Sequence, residues 1–271
     1  MASIGGTATH VGAAPESEVA AKDKTGVVRI AATGDLHCPR TPGEELQALF
    51  HEIAEHADVL LLCGDLTDYG KPEEARQLVQ YLGEVRRIPI LAVLGNHEFE
   101  CGQHEEVANI LTGNGVTVLD GTAVEVKGVG FVGVKGFCGG FGEHALQTWG
   151  EHVLKLFVRE SVEEALKLES ALAKLRTPTR VVLTHYSPIV ETVKGEPHEI
   201  IPFLGSSRLE EPLNRYPVTA VFHGHAHHGH PEGRTLSGVP VYNVALPLLR
   251  RRFPDRRPVR FLELPAAPNP G

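Results

Sequence analysis

The chain has few cysteines, four in 271 residues. Cys38, Cys63, Cys101 and Cys138 show no spacing that suggests a zinc knuckle or a redox pair, so they read as reduced thiols. Cys63 closes an apolar run and reads as core. Cys38 directly follows His37 and reads as a small filler, with a place near candidate metals as the other reading. Long apolar runs are also missing: those present are strand-sized, so none spans a bilayer, and residues 1–24 lack the apolar core of a signal peptide. The expectation is a cytoplasmic protein with no membrane partner. Excess positive charge is absent too, since the net charge is −8. That balance gives no electrostatic reason to expect nonspecific binding to nucleic acid, although a local basic patch could act on its own. There is no internal repeat of the solenoid kind.

With 42% hydrophobic and 22% charged residues, the length fits one large α/β domain or two small ones, and we read one. Residues 1–25 read as a disordered tail, 26–265 as the domain and 266–271 as a C-terminal tail. Three βα units follow one another at about 30 residues, which argues for a parallel sheet with crossover helices. Thr41-Pro42-Gly43-Glu44 has capping-box spacing, and Lys71-Pro72-Glu73-Glu74 sets proline at a first helical position. From Val116 the pattern changes to short strands, Val116–Leu119, Thr122–Val126 and Val129–Val134. Asp120-Gly121 is the stronger hairpin signal and Gly128 the weaker. A helical stretch at 144–175 is expected to bury Val153, Leu156, Phe157, Val162, Leu166, Leu168, Leu172 and Leu175. A helix near 207–216 and strands near 239–244 and 259–264 close the domain.

Five fragments stand out: Gly34-Asp35-Leu36-His37, Gly64-Asp65, Gly95-Asn96-His97-Glu98, His185, and Gly224-His225-Ala226-His227. Each follows an apolar run: 27–32, 59–63, 88–94, 180–183 and 218–222. In open α/β sheets ligands bind at the C-terminal strand ends, so five strand ends deliver metal-ligand side chains to one rim. Two divalent cations would bring four positive charges and the carboxylates of Asp35 and Asp65 cancel two, so the pair stays electrophilic. Such a site attracts phosphate and lowers the pKa of a water held between the ions. The mixed oxygen and nitrogen donors suit transition metals such as Mn, Fe, Zn, Co or Ni better than Ca or Mg.

The ordered set GDLH, GD, GNHE, a lone histidine and GHAH resembles the calcineurin-like metallophosphoesterases. The resemblance spans residues 34–227. It implies a mixed α/β fold, a four-layer α/β/β/α sandwich, and two divalent or trivalent ions of Mn, Fe or Zn. Carried across, it assigns Asp35, His37 and His227 to the first metal and Asn96, His185 and His225 to the second, with Asp65 bridging. His97 is then the group that contacts the phosphate and protonates the leaving oxygen. Glu98 is expected to orient His97.

Departures narrow the function. Protein phosphatases of this superfamily carry arginine in a GDxxDRG pattern, where this chain has Tyr69. Purple acid phosphatases place a metal-binding tyrosine where this chain has Asp68. The first motif, with His37, is similar to that of bacterial phosphodiesterases of the cyclic-nucleotide class. The expected function is therefore hydrolysis of a small phosphodiester by a hydroxide held between two metals. Alternatives are a phosphomonoesterase, a nuclease, which the acidic charge disfavours, and a binding scaffold on the same fold, like the retromer subunit. A scaffold would have eroded ligands, and none is eroded here.

Other residues have plainer readings. Taken alone, His185 reads as structural, and only the completed motif set makes it a ligand. His223, His228 and His230 read as surface or supporting residues, and His10, His51, His56, His104, His144, His152 and His198 as solvated. Residues 136–142 form a Gly-rich stretch that reads equally as an active-site flap or a surface loop. Arg250, Arg251, Arg252, Arg256, Arg257 and Arg260 read as a solvated face, with an anion grip as the other reading.

Overall fold

The computed structural model describes residue 1 and residues 26–266. The expected tails at 1–25 and 266–271 fall, apart from Met1 and Ala266, outside the described residues. The first half alternates as expected: β1 (Val27–Thr33), α1 (Gly43–His56), β2 (Val59–Cys63), α2 (Pro72–Tyr81), β3 (Ile90–Val93), α3 (His104–Gly113) and β4 (Val116–Val118). Then follow β5 (Thr122–Val126), β6 (Val129–Gly133), α4 (His152–Leu172), β7 (Arg180–Leu183), α5 (Glu210–Arg215), β8 (Ala220–His223), β9 (Glu232–Arg234), β10 (Pro240–Asn243), α6 (Leu246–Arg252) and β11 (Arg260–Pro265).

The strands form two sheets, ordered β11-β1-β2-β3-β4 and β5-β6-β7-β8-β10-β9. Their side chains alternate with period two. Leu60 and Leu62 of β2 pack outward with Leu49 and Phe50 of α1, Leu78 of α2 and Leu111 of α3. Val59, Leu61 and Cys63 face inward, against Phe131, Leu183 and Phe222 of the second sheet. On the far side, Val132, Val182 and Val221 meet Leu168 and Leu172 of α4 and Leu213 of α5. The result is the expected four-layer α/β/β/α sandwich, with mixed sheets flanked by helices. No helix among the described residues is long and apolar enough to cross a membrane.

Three local expectations fail for identifiable reasons. Asp120-Gly121 does not close a hairpin. Instead β4 pairs parallel with β3, and the chain crosses to the second sheet, where β5 and β6 make the hairpin through Lys127 and Gly128. Both of those residues have positive φ, 50° and 75°, as a tight two-residue turn requires. Thr41 caps nothing, since the cap of α1 is Pro42 and has no side-chain hydrogen bond. At α2 the capping arrangement does form, because the Glu74 carboxylate accepts the Lys71 backbone N–H at 3.3 Å.

The third failure lies on α4. Leu168, Leu172 and Leu175 are buried, but Val153, Leu156, Val162 and Leu166 are exposed. Glu164 is buried in the stripe where an apolar residue was expected. It accepts the Gly136 N–H at 2.7 Å and pairs with Lys167 at 2.7 Å. A carboxylate satisfied in this way can occupy the core face.

Candidate metal centre

The loops after β1, β2, β3, β7 and β8 converge on one rim. The first two are knitted backbone to backbone: Asp35 N–H donates to Gly64 O at 2.9 Å and His37 N–H to Asp65 O at 2.9 Å. Asp35, His37, Asp65 and His225 all have positive φ, between 44° and 63°. Non-glycine residues rarely adopt this left-handed conformation, and its clustering at one place marks a functional site. Glycines beside them make room for side chains. A β-carbon on Gly64 would stand 2.5 Å from His185 Nδ1.

All seven candidate ligands reach this rim, and so does His97. Asp35, His37 and His227 form one group, Asp65, His185 and His225 a second, and His37, Asp65 and His97 a third; in each, one ligand atom per residue lies within 4.8 Å of the others. Asp65 joins the two halves. Its Oδ1 is 3.3 Å from His185 Nε2 and its Oδ2 is 4.0 Å from His37 Nε2. Asn96 completes the second group, with Oδ1 2.9 Å from His185 Nε2. The His185 ring is fixed by Nδ1–H, which donates to Cys63 O at 3.0 Å, so Nε2 faces Asn96, Asp65 and His225. His227 Nε2 lies 2.9 Å from Asp35 Oδ1.

This donor set fits two cations. The His37 ring is buried, yet neither nitrogen has a hydrogen-bond partner. A buried imidazole left so would be costly unless a metal takes its lone pair. Burial lowers the His37 pKa to about 3, so the ring stays neutral, as a ligand must. Burial also works against a charged His185, but the carboxylates of Asp65 and Asp35 outweigh it and raise its pKa to about 9. Burial alone would raise the Asp65 carboxyl, but His185 holds it below the ordinary carboxylate range.

His97 Nδ1–H donates to Asp68 O at 2.6 Å, leaving Nε2 to face the rim 3.8 Å from Asp65 Oδ2. Glu98 does not orient His97, contrary to expectation. Its carboxylate instead accepts the N–H groups of Gly95 (2.6 Å), Thr67 (2.8 Å) and Asp65 (3.1 Å) and the Thr67 hydroxyl (2.7 Å). Glu98 thus holds the Asp65 loop.

Sequence reasoning missed several supports. Buried Asn243 donates to Ala226 O at 2.8 Å and holds the His225–His227 loop. Its position at the end of an apolar strand is the same signal that revealed the ligands. His223, read as surface or supporting, is fully buried, with Nε2 2.8 Å from Thr192 Oγ1, whereas His228 and His230 are exposed. Of the basic cluster, Arg251 Nη2 donates to His227 O at 2.7 Å and Arg250 pairs with Glu45, so α6 brings part of it to the rim. Buried Cys38 bridges backbone to Thr67. Within the Gly-rich stretch, Gly139 N–H donates to Pro202 O at 2.9 Å and Gly140 N–H to Gly205 O at 3.0 Å.

A family model described as calcineurin-like phosphoesterase matches residues 28–229. The chain belongs to that family. Among solved structures it is similar to a phosphopantetheinyl hydrolase (PptH) from Mycobacterium tuberculosis, at 15% identity and a TM-score of 0.61, covering 86% of this chain and 95% of that one. It is also similar to TT1561 of Thermus thermophilus, at 16% identity and a TM-score of 0.51, covering 88% and 99%. A third is GAP50, the anchor in the inner membrane complex of Plasmodium, at 15% identity and a TM-score of 0.52, covering 82% and 72%. At these identities the likeness is one of fold. No curated protein matches the chain. Family membership makes the chain a metal-dependent phosphohydrolase by class.

Proposed function

We propose that this chain hydrolyses small phosphodiesters, of the cyclic-nucleotide type among others, at a centre of two transition-metal ions such as Mn, Fe or Zn. Asp35, His37 and His227 would hold one ion, Asn96, His185 and His225 the other, and Asp65 would serve both. The observation that carries this reading is the placement of the two Asp65 oxygens toward opposite histidine groups. When bound, the ions supply an acidified water and withdraw electron density from the phosphoryl oxygens. His97 supplies the proton. With Nδ1–H committed to Asp68 O, a protonated ring presents Nε2–H to the rim, where a leaving oxygen receives it.

The diester preference rests on the residue at the position where protein phosphatases carry an arginine. Tyr69 occupies the position of the protein-phosphatase arginine, and its ring is half exposed beneath Lys71 Nζ at 5.1 Å. It offers no guanidinium for a dianion. A monoesterase is the second reading, favoured by Lys135 and Arg251, both of which lie close to the ligand loops. The test is chelator treatment and reconstitution with Mn, Zn, Ni, Co or Fe, followed by assay of bis-nitrophenyl phosphate, nitrophenyl phosphate, cyclic nucleotides and a phosphopantetheinyl ester. A higher kcat/KM for bis-nitrophenyl than for nitrophenyl phosphate is expected. Two bound metals without turnover of any substrate would favour a binding scaffold.

A further inference from the structure

Lys135 follows β6 by two residues, and its carbonyl accepts the N–H groups of His185 (3.0 Å) and Tyr186 (3.2 Å). Its backbone is therefore part of the loop that presents a candidate ligand. Its ammonium lies among three aromatic rings, with Nζ 4.9 Å from the centre of Phe137, 5.4 Å from Phe99 and 5.5 Å from Tyr186. Two of those rings adjoin the site. Phe99 sits two residues after His97, and the Tyr186 ring is 4.7 Å from the His225 ring. Nζ thus stands between the loop of Asn96 and His97 and the loop of His185.

The ammonium is short of partners. Of its three N–H donors, the one hydrogen bond found is to Gly136 O at 2.9 Å. No acid pairs with it among the described residues: Glu164, whose charge reaches Lys135, takes Gly136 N–H and pairs with Lys167. Aromatic faces stabilise a cation by their quadrupole without neutralising it. A half-buried ammonium held this way keeps its charge for an incoming anion and has already lost part of its hydration, so it gains more from that anion than a surface lysine would.

We propose that Lys135 is a specificity residue that receives a second negative charge on the substrate, beyond the single charge of a simple diester. This rests on the phosphoesterase reading above. On the diester reading that charge lies on a phosphate neighbouring the reacting one; a second charge on the reacting phosphoryl group belongs to the monoester reading. Both present the same oxyanion to Nζ.

The experiment is calorimetric titration of metal-loaded protein with inorganic phosphate, methylenediphosphonate and dimethyl phosphate. It compares the unaltered chain with Lys135→Met, Lys135→Gln and the charge-keeping Lys135→Arg. The two neutral variants should keep their metals, lose roughly 10-fold or more in affinity for a doubly charged probe, and stay within about 2-fold for dimethyl phosphate. Lys135→Arg should retain most of the affinity. A loss for phosphate places the second charge on the reacting group, and a loss for methylenediphosphonate alone places it on a neighbour. Equal losses for all three probes, no loss, or failure of both neutral variants to load metal would overturn the proposal. An unaltered chain that loads two metals and turns over no phosphate ester would instead overturn the phosphoesterase reading.

Discussion

A β-carbon on Gly95 would fall on Asp65, meeting both its backbone nitrogen and its Oδ1. The third motif therefore needs glycine for space. The closeness also lets Glu98 accept the N–H groups of Gly95 and Asp65 together. Gly95→Ala should push Asp65 out of line and deplete both metals although no ligand is changed. Elemental analysis should find well under two metals per chain, as for Asp65→Asn, whereas His37→Ala should mainly weaken the first site. Full metal content in Gly95→Ala would show that the Asp65 loop can shift without loss.

Glu98 gives a second prediction. It is fully buried and accepts four hydrogen bonds from the Asp65 loop and Gly95. Glu98→Gln turns one oxygen into an NH2 group that faces donors, which should cost roughly 3 kcal/mol of stability. The midpoint of thermal unfolding and metal retention should both fall. The dependence of rate on leaving group should not change, because the Glu98 carboxylate bonds to Gly95, Asp65 and Thr67 while the His97 ring is held by Asp68 O.

His97 should behave in the opposite way. His97→Ala should keep both metals and lose roughly 100-fold in turnover of unactivated esters, the scale of a general acid. The loss should shrink for nitrophenyl esters, whose leaving groups need little protonation. Equal losses across leaving groups would reduce His97 to a residue that positions the phosphate.

The rim was legible because metal ligands are polar residues placed where apolar strands end. That contrast survives in sequence whatever the loops do. The same logic extends to Asn243, which follows the apolar run of β10. What stayed hidden depends on tertiary partners. Glu164 is indistinguishable from a surface acid until Gly136 and Lys167 are seen beside it. Val153 and Leu156 fit a helical period, but the phase of α4 is fixed by the sheet it covers. Nothing local marks Glu98 as the anchor of the Asp65 loop, since its partners lie up to 33 residues away. The short helix α6 was missed because a run of arginines reads as solvated, and its contact with His227 needs the fold to close.

Proton release on metal loading is the last expectation. In the metal-free protein the carboxylates of Asp65 and Asp35 overcome the burial of His185 and raise its pKa to about 9. At pH 7.5 the ring is therefore protonated, whereas a metal ligand must be neutral. Loading must displace that proton, so the second-site affinity should rise with pH, by up to about tenfold per unit for one proton, and level off above about 9. His37 adds nothing to this slope, because its pKa of about 3 leaves it neutral throughout. Calorimetry of Zn or Mn binding in buffers of different ionisation enthalpy reads the proton count directly. His185 should release about one proton at pH 7.5, and His227, whose pKa the Asp35 carboxylate raises against burial, should add to the count. A pH-independent affinity between 7 and 9 would mean that His185 is already neutral before the metal arrives, and that the site is poised rather than proton-blocked.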